Sequence, residues 1–79
     1  IAPEIAPRRI NVVSPGVIDT PMFGPESDQR QNMLQAATAK NLIQRAGTPE
    51  EVAKAIIFVV ENAFVTGTTV EVDGGWILS

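Results

Sequence analysis

Two β-branched runs stand near opposite ends of the chain, each stopped by turn chemistry. "RRINVV" halts at Ser14-Pro15-Gly16, and "TTVEV" (68–72) halts at Asp73-Gly74-Gly75. Between them lies sequence that reads as helix and loop. Two strands joined through helical sequence form a crossover, which places them parallel, with the connection right-handed. A parallel pair by itself is not a stable object, because parallel sheets need cover on both faces and further strands beside them. A chain of 79 residues buries only about 60% of its unfolded surface, so its own core is marginal. The expectation is therefore a piece of something larger, either the end of a longer chain or one protomer of a tight assembly.

Local signals divide the interior. "IAPEIAP" (1–7) reads as the end of a helix, with Pro3 interrupting and Pro7 ending it. Residues 8–13 read as a strand and 14–27, rich in proline and glycine, as a loop. The stretch 27–44 is helical in pattern, with Met33, Leu34, Ala37 and Leu42 along one weakly apolar side and Ser27 or Asp28 as its cap. Thr48-Pro49-Glu50-Glu51 is the strongest start signal: an N-cap threonine, proline at the first helical position and glutamate three residues after the cap. That helix is expected over 49–62. Its wide apolar stripe of Val52, Ile56, Val59, Val60 and Ala63 implies burial against more than one neighbour. Trp76-Ile77-Leu78 then forms an apolar tail after the last strand.

Composition removes whole classes of chemistry. The net charge is -3 with acidic residues dispersed, which opposes a nucleic-acid or anionic-membrane surface. No apolar run approaches the ~20 residues of a membrane span. The absence of cysteine removes disulfides and thiolate metal sites and suits a cytoplasmic location. There is no His and no Tyr either, so Ser-His pairs, zinc-histidine clusters and a tyrosine acid are all missing, and no metal site is expected. As written, the chain has few means of running a reaction by itself.

The ordered set "RRINVVSPGVIDTPM", "RAGTPEEVA", "VTG" and "VDGG" resembles the C-terminal third of the short-chain dehydrogenase/reductase family, over nearly all 79 residues and weakest in 23–44. The resemblance implies an α/β fold: the last two strands and intervening helices of a Rossmann-like doubly wound parallel sheet. It also implies an NAD- or NADP-dependent oxidoreductase interconverting an alcohol and a carbonyl. The family's glycine-rich cofactor turn, its catalytic serine and its YxxxK pair have no counterpart here, so this segment alone is expected to be inactive and completed by an upstream part of the same chain. By the same resemblance, Pro15, Gly16 and Val17 lie along the nicotinamide ring, Gly16 leaving room for close approach. Ile18 offers its backbone to the carboxamide, and Thr20 completes that contact. The alternative is that Ser-Pro-Gly merely ends a strand. Met22, Phe23, Met33 and Leu34 match a substrate lid over a small molecule, with ordinary packing as the other reading. Ile56 and Val60, and Val70 and Val72, match the helix and strand through which relatives form homo-dimers or homo-tetramers; Trp76, in an apolar tail that would be exposed on a monomer, is expected at an interface as well, or else the tail folds back on its own subunit. A competing function is a non-catalytic, truncated association module.

Overall fold

The computed structural model describes residues 1–76. The elements follow one another as α1 (Ala2–Ile5), β1 (Val12–Pro15), a 3-10 turn (Pro21–Phe23), α2 (Asp28–Thr38), α3 (Pro49–Glu61) and β2 (Thr69–Val72). Pro3 does not interrupt α1. It sits in the first turn, where a backbone N–H would have no helical partner anyway. The tail residues Ile77 and Leu78 lie outside the described residues.

The two strands pair in parallel, in the register Val12 with Thr69 through Pro15 with Val72. The strand expected at 8–13 is thus displaced toward its C-terminus, and Ser14-Pro15 belong to it rather than ending it. Parity explains this. The N–H groups of Val12 and Gly16 donate to Thr68 O and Val72 O, both at 2.9 Å, so even-numbered residues face β2. The missing N–H of Pro15 falls on the opposite edge, where no ladder bond is lost. Residues 10 and 11 join the sheet differently. Ile10 N–H donates to Thr66 Oγ1 at 3.2 Å, and the Asn11 side chain reaches Val65 O at 3.1 Å and Thr68 N–H at 3.2 Å. A side chain here substitutes for ladder bonds.

α2 is shorter than the helical pattern of 27–44. Ser27 caps it, accepting from Arg30 N–H at 3.1 Å. It ends at Thr38 because the following residues are drawn into tertiary hydrogen bonds. The Asn41 side chain donates to Asp73 O at 3.2 Å and Ile43 N–H to Gly74 O at 2.8 Å. Those bonds attach the segment after α2 to the turn that follows β2.

α3 begins at the expected capping box, with Glu51 N–H donating to Thr48 Oγ1 at 3.2 Å and Thr48 N–H to Glu51 Oε1 at 2.8 Å. It packs against both strands. Arg9 gathers carbonyls in the last turn of α3 and in the loop beyond it: the guanidinium donates to Val59 O at 2.7 Å and Val60 O at 2.8 Å, and to Val65 O at 3.1 Å and Asn62 O at 3.2 Å. A cation at the negative end of the helix dipole adds a favourable field to those bonds.

Among the described residues the buried apolar side chains are Leu34 and Val59, with Thr38 and Asn41 the buried polar ones. The radius of gyration is 15.3 Å, against about 12 Å for a compact chain of this length. Ile56, Ile57, Phe58 and Val60 of α3 stay about half exposed or more. The chain therefore orders its strands and their connection without enclosing a core of its own.

Candidate functional site

The segment after β1 is held by its backbone. Gly47 N–H donates to Val17 O at 2.9 Å, and Asp19 N–H to Gly47 O at 2.8 Å, an isolated parallel bridge between Ile18 and Gly47. That pattern uses the groups on either side of Ile18 and turns Ile18's own N–H and C=O the other way. Among the described residues neither group makes a hydrogen bond, nor does the Thr20 hydroxyl. The result is a donor, an acceptor and a hydroxyl within three residues, beyond the C-terminal end of a parallel strand.

Gly16 approaches the turn after β2 closely. A Cβ there would stand 2.8 Å from Asp73 Cα and 2.9 Å from Asp73 Cβ, so the side a Cβ would take is already filled by that turn. Asp73 acts in that turn as a backbone-bonding residue, accepting from Gly75 N–H at 2.9 Å through Oδ1. Gly74 and Gly75 adopt φ of 64° and 84°, a backbone region that favours glycine.

The five residues assigned to the cofactor are brought together along the chain but do not share one cavity. Pro15, Gly16 and Val17 line a cavity of about 280 Å³ with Asn41, Asp73 and Trp76. Val17 also borders a second, of about 310 Å³, walled by Arg45, Glu51, Glu71 and Asp73. Ile18 and Thr20 line neither. The four lid residues are parted. Met22, 88% exposed, and Phe23 ride on the 3-10 turn, Met33 is half exposed on α2, and Leu34, next to it on the same helix, is only 5% exposed. Leu34 also lines a cavity of about 230 Å³ with Asp19, Gln31, Gln44 and Arg45. Of the association residues, Ile56, Val60 and Trp76 are exposed while Val70 and Val72 are partly covered.

The charges around this segment are organised by arginines. Arg45 binds Glu51 in a fork, both bonds 2.8 Å. That guanidinium, with the Thr48 N–H, pushes the Glu51 carboxyl down to about 2. Arg30, on the first turn of α2, donates to the Asp19 carboxylate, to Thr20 O at 3.1 Å and to Glu26 at 3.1 Å. Gln31 also donates to Glu26 at 2.7 Å, and this bond leads in lowering the Glu26 carboxyl below its ordinary value, with Arg30 adding to it.

Arg9, Arg30 and Asn41 were not legible as important from pattern. One signal was available for Arg30: a cation in a helix's first turn opposes the dipole, which implies a specific acidic partner. Arg9 and Asn41 act on residues far away in sequence and leave no local trace. With no His, Cys or Tyr, the assembled groups can orient a ligand and exclude alternatives; no nucleophile-base pair is formed among them. No helix among the described residues is long and apolar enough to cross a membrane.

Known proteins share this arrangement. The family model described as enoyl-(acyl carrier protein) reductase matches residues 1–77. The short-chain dehydrogenase/reductase ATR9 of Stachybotrys chlorohalonatus is 44% identical over 78 residues, covering 99% of this chain and 31% of the relative. A crystal structure of a small-chain dehydrogenase in complex with NADPH superposes with a TM-score of 0.82 at 35% identity, covering 99% of this chain and 36% of that one. The ligand-free aldohexose dehydrogenase of Thermoplasma acidophilum superposes with a TM-score of 0.86 at 34% identity, over 99% and 35% of the two chains. The chain spans about a third of the length of the relatives it matches. The family match over residues 1–77, together with these relatives, shows that the chain belongs to the short-chain dehydrogenase/reductase family.

Proposed function

We propose that these residues are the C-terminal part of an NAD(P)-dependent oxidoreductase that interconverts an alcohol and a carbonyl, and that they supply its nicotinamide-side loop, its substrate lid and part of its subunit interface. The observation that carries the reading is the unpaired backbone of Ile18. A nicotinamide carboxamide presents one acceptor oxygen and one donor NH2; the Ile18 N–H and C=O are their complement, and the free Thr20 hydroxyl adds a third partner. Ligands of open parallel sheets bind beyond the carboxyl ends of strands, where this segment lies. Bound there, the cofactor supplies or accepts the hydride.

The chain's own residues act by positioning. Ile18 and Thr20 fix the carboxamide and with it the ring face presented to substrate, while Val17 gives that ring an apolar flank. The Gly47 bridge holds Ile18 in place without using its polar groups. The proton-transferring groups, a tyrosine and lysine in the family's YxxxK arrangement, belong to an upstream part of the chain. Its sheet would pair along the open edge of β1, where the Val13 N–H faces away from β2. The exposed row of Ile56 and Val60, together with Trp76, suits a second subunit of a homo-dimer or homo-tetramer.

The reading is tested by assaying the full-length protein for NADH and NADPH oxidation across aldehydes and ketones. Carbonyl-dependent turnover with one or both cofactors is expected. A folded protein that turns over none of them with either cofactor contradicts it.

A further inference from the structure

Arg30 stands at the first turn of α2 with its side chain 11% exposed, although it is a surface-length cation at the wrong end of a helix dipole. Its contacts account for that placement. One terminal nitrogen donates to the Asp19 carboxylate and to Thr20 O at 3.1 Å, and the other to Glu26 at 3.1 Å. Asp19 and Thr20 open the segment that carries Met22 and Phe23; Glu26 and the helix cap Ser27 close it. A single guanidinium thus grips both ends of that segment. Gln31 reinforces the far end through Glu26 at 2.7 Å, and Ser27 accepts from Arg30's own backbone N–H at 3.1 Å. A planar fork can span two acceptors in this way, whereas a lysine ammonium cannot reproduce its geometry.

We infer that Arg30 is a positioning residue that latches residues 19–27, holding Met22 and Phe23 in a fixed pose directly after the Ile18–Thr20 backbone. The latch is poised rather than permanent. Its Nε–H is buried without an acceptor, and an unsatisfied buried donor favours any state in which water can reach it. The near end of the grip takes the Thr20 carbonyl and leaves the Ile18 backbone and the Thr20 hydroxyl free, so the latch sets the pose of Met22 without holding the groups assigned to the cofactor. What the segment encloses rests on the oxidoreductase reading above; the latch does not.

Two readouts on the full-length protein test this, with Arg30→Gln as the main variant. Amide hydrogen exchange of residues 20–27 is expected to rise about tenfold or more, since charge-assisted bonds are lost, with α3 unchanged. The KM for a carbonyl substrate is expected to rise severalfold, with kcat and the NADPH Kd within about twofold of wild type. Unchanged exchange over 20–27 overturns the latch, and raised exchange with an unchanged KM overturns its positioning role. Should Arg30→Gln fail to fold, Glu26→Gln releases only the far end. Exchange then rises over 23–26 if the latch exists and stays at the wild-type level if it does not. A wild-type protein without NAD(P)H turnover refutes the oxidoreductase reading, and the exchange comparison still decides the latch.

Discussion

Gly16 owes its identity to Asp73. A methyl group there meets backbone and Cβ atoms at 2.8 and 2.9 Å, which cannot move without shifting the turn after β2. Gly16→Ala is expected to destabilise the full-length protein by about 1–3 kcal/mol, read as a lowered thermal midpoint, because overpacking forces the backbone apart. The contrast is Gly47, where a new Cβ would meet the flexible Ile18 Cδ1 at 2.9 Å and the change is expected to be milder. Glu51 provides a pH dependence of definite sign. Arg45 and the Thr48 N–H push its carboxyl from 4.5 to about 2, so the stabilisation is fully present above pH 4.5 and lost as pH falls toward 2. Glu51→Gln should therefore be less stable than wild type at neutral pH and converge with it near pH 2, in thermal melts followed by circular dichroism. A gap that persists at pH 2 would show that packing, and not the ion pair, is what the substitution removes.

Elements differ in how they end, and this decides which ends could be read from sequence. The start of α3 was legible because Thr48, Pro49 and Glu51 act within four residues of one another. Its C-terminus was not, because the cap is Arg9, 50 residues away from the Val59 carbonyl it holds. Arg9→Ala is expected to fray the last turn of α3, raising amide exchange there and costing about 1–2 kcal/mol, with Arg9→Lys recovering only part of it. Unchanged exchange at the end of α3 would mean that solvent satisfies those carbonyls equally well. The end of β1 departs from its sequence pattern for a related reason. Proline is a local stop signal, yet whether it stops a strand depends on which edge its missing N–H faces, and that follows from pairing. α2 stops short of its helical pattern because the Asn41 side chain and the Ile43 N–H bond to the turn at Asp73 and Gly74 instead of continuing the helix.

At the scale of the molecule, the parallel crossover was readable from two β-branched runs and the helical sequence between them. What encloses it was not, since large apolar side chains such as Ile57, Phe58, Val60 and Phe64 stay exposed and the chain spans about a third of its relatives' length. Half of the candidate site was equally legible. Residues 15–20 stood out through turn chemistry and family resemblance, whereas the Gly47 bridge that frees Ile18 and the Arg30 grip behind Thr20 are products of tertiary structure. The central claim concerns that freed backbone, and titration of the full-length protein with NADH and NADPH, followed by dihydronicotinamide fluorescence, addresses it most directly. Saturable binding is predicted, weakened about tenfold in Thr20→Ala with the thermal midpoint unchanged, as befits one lost hydrogen bond to a bound ligand. A folded wild-type protein that binds neither cofactor, or a Thr20→Ala variant that binds as tightly as wild type, would contradict the account.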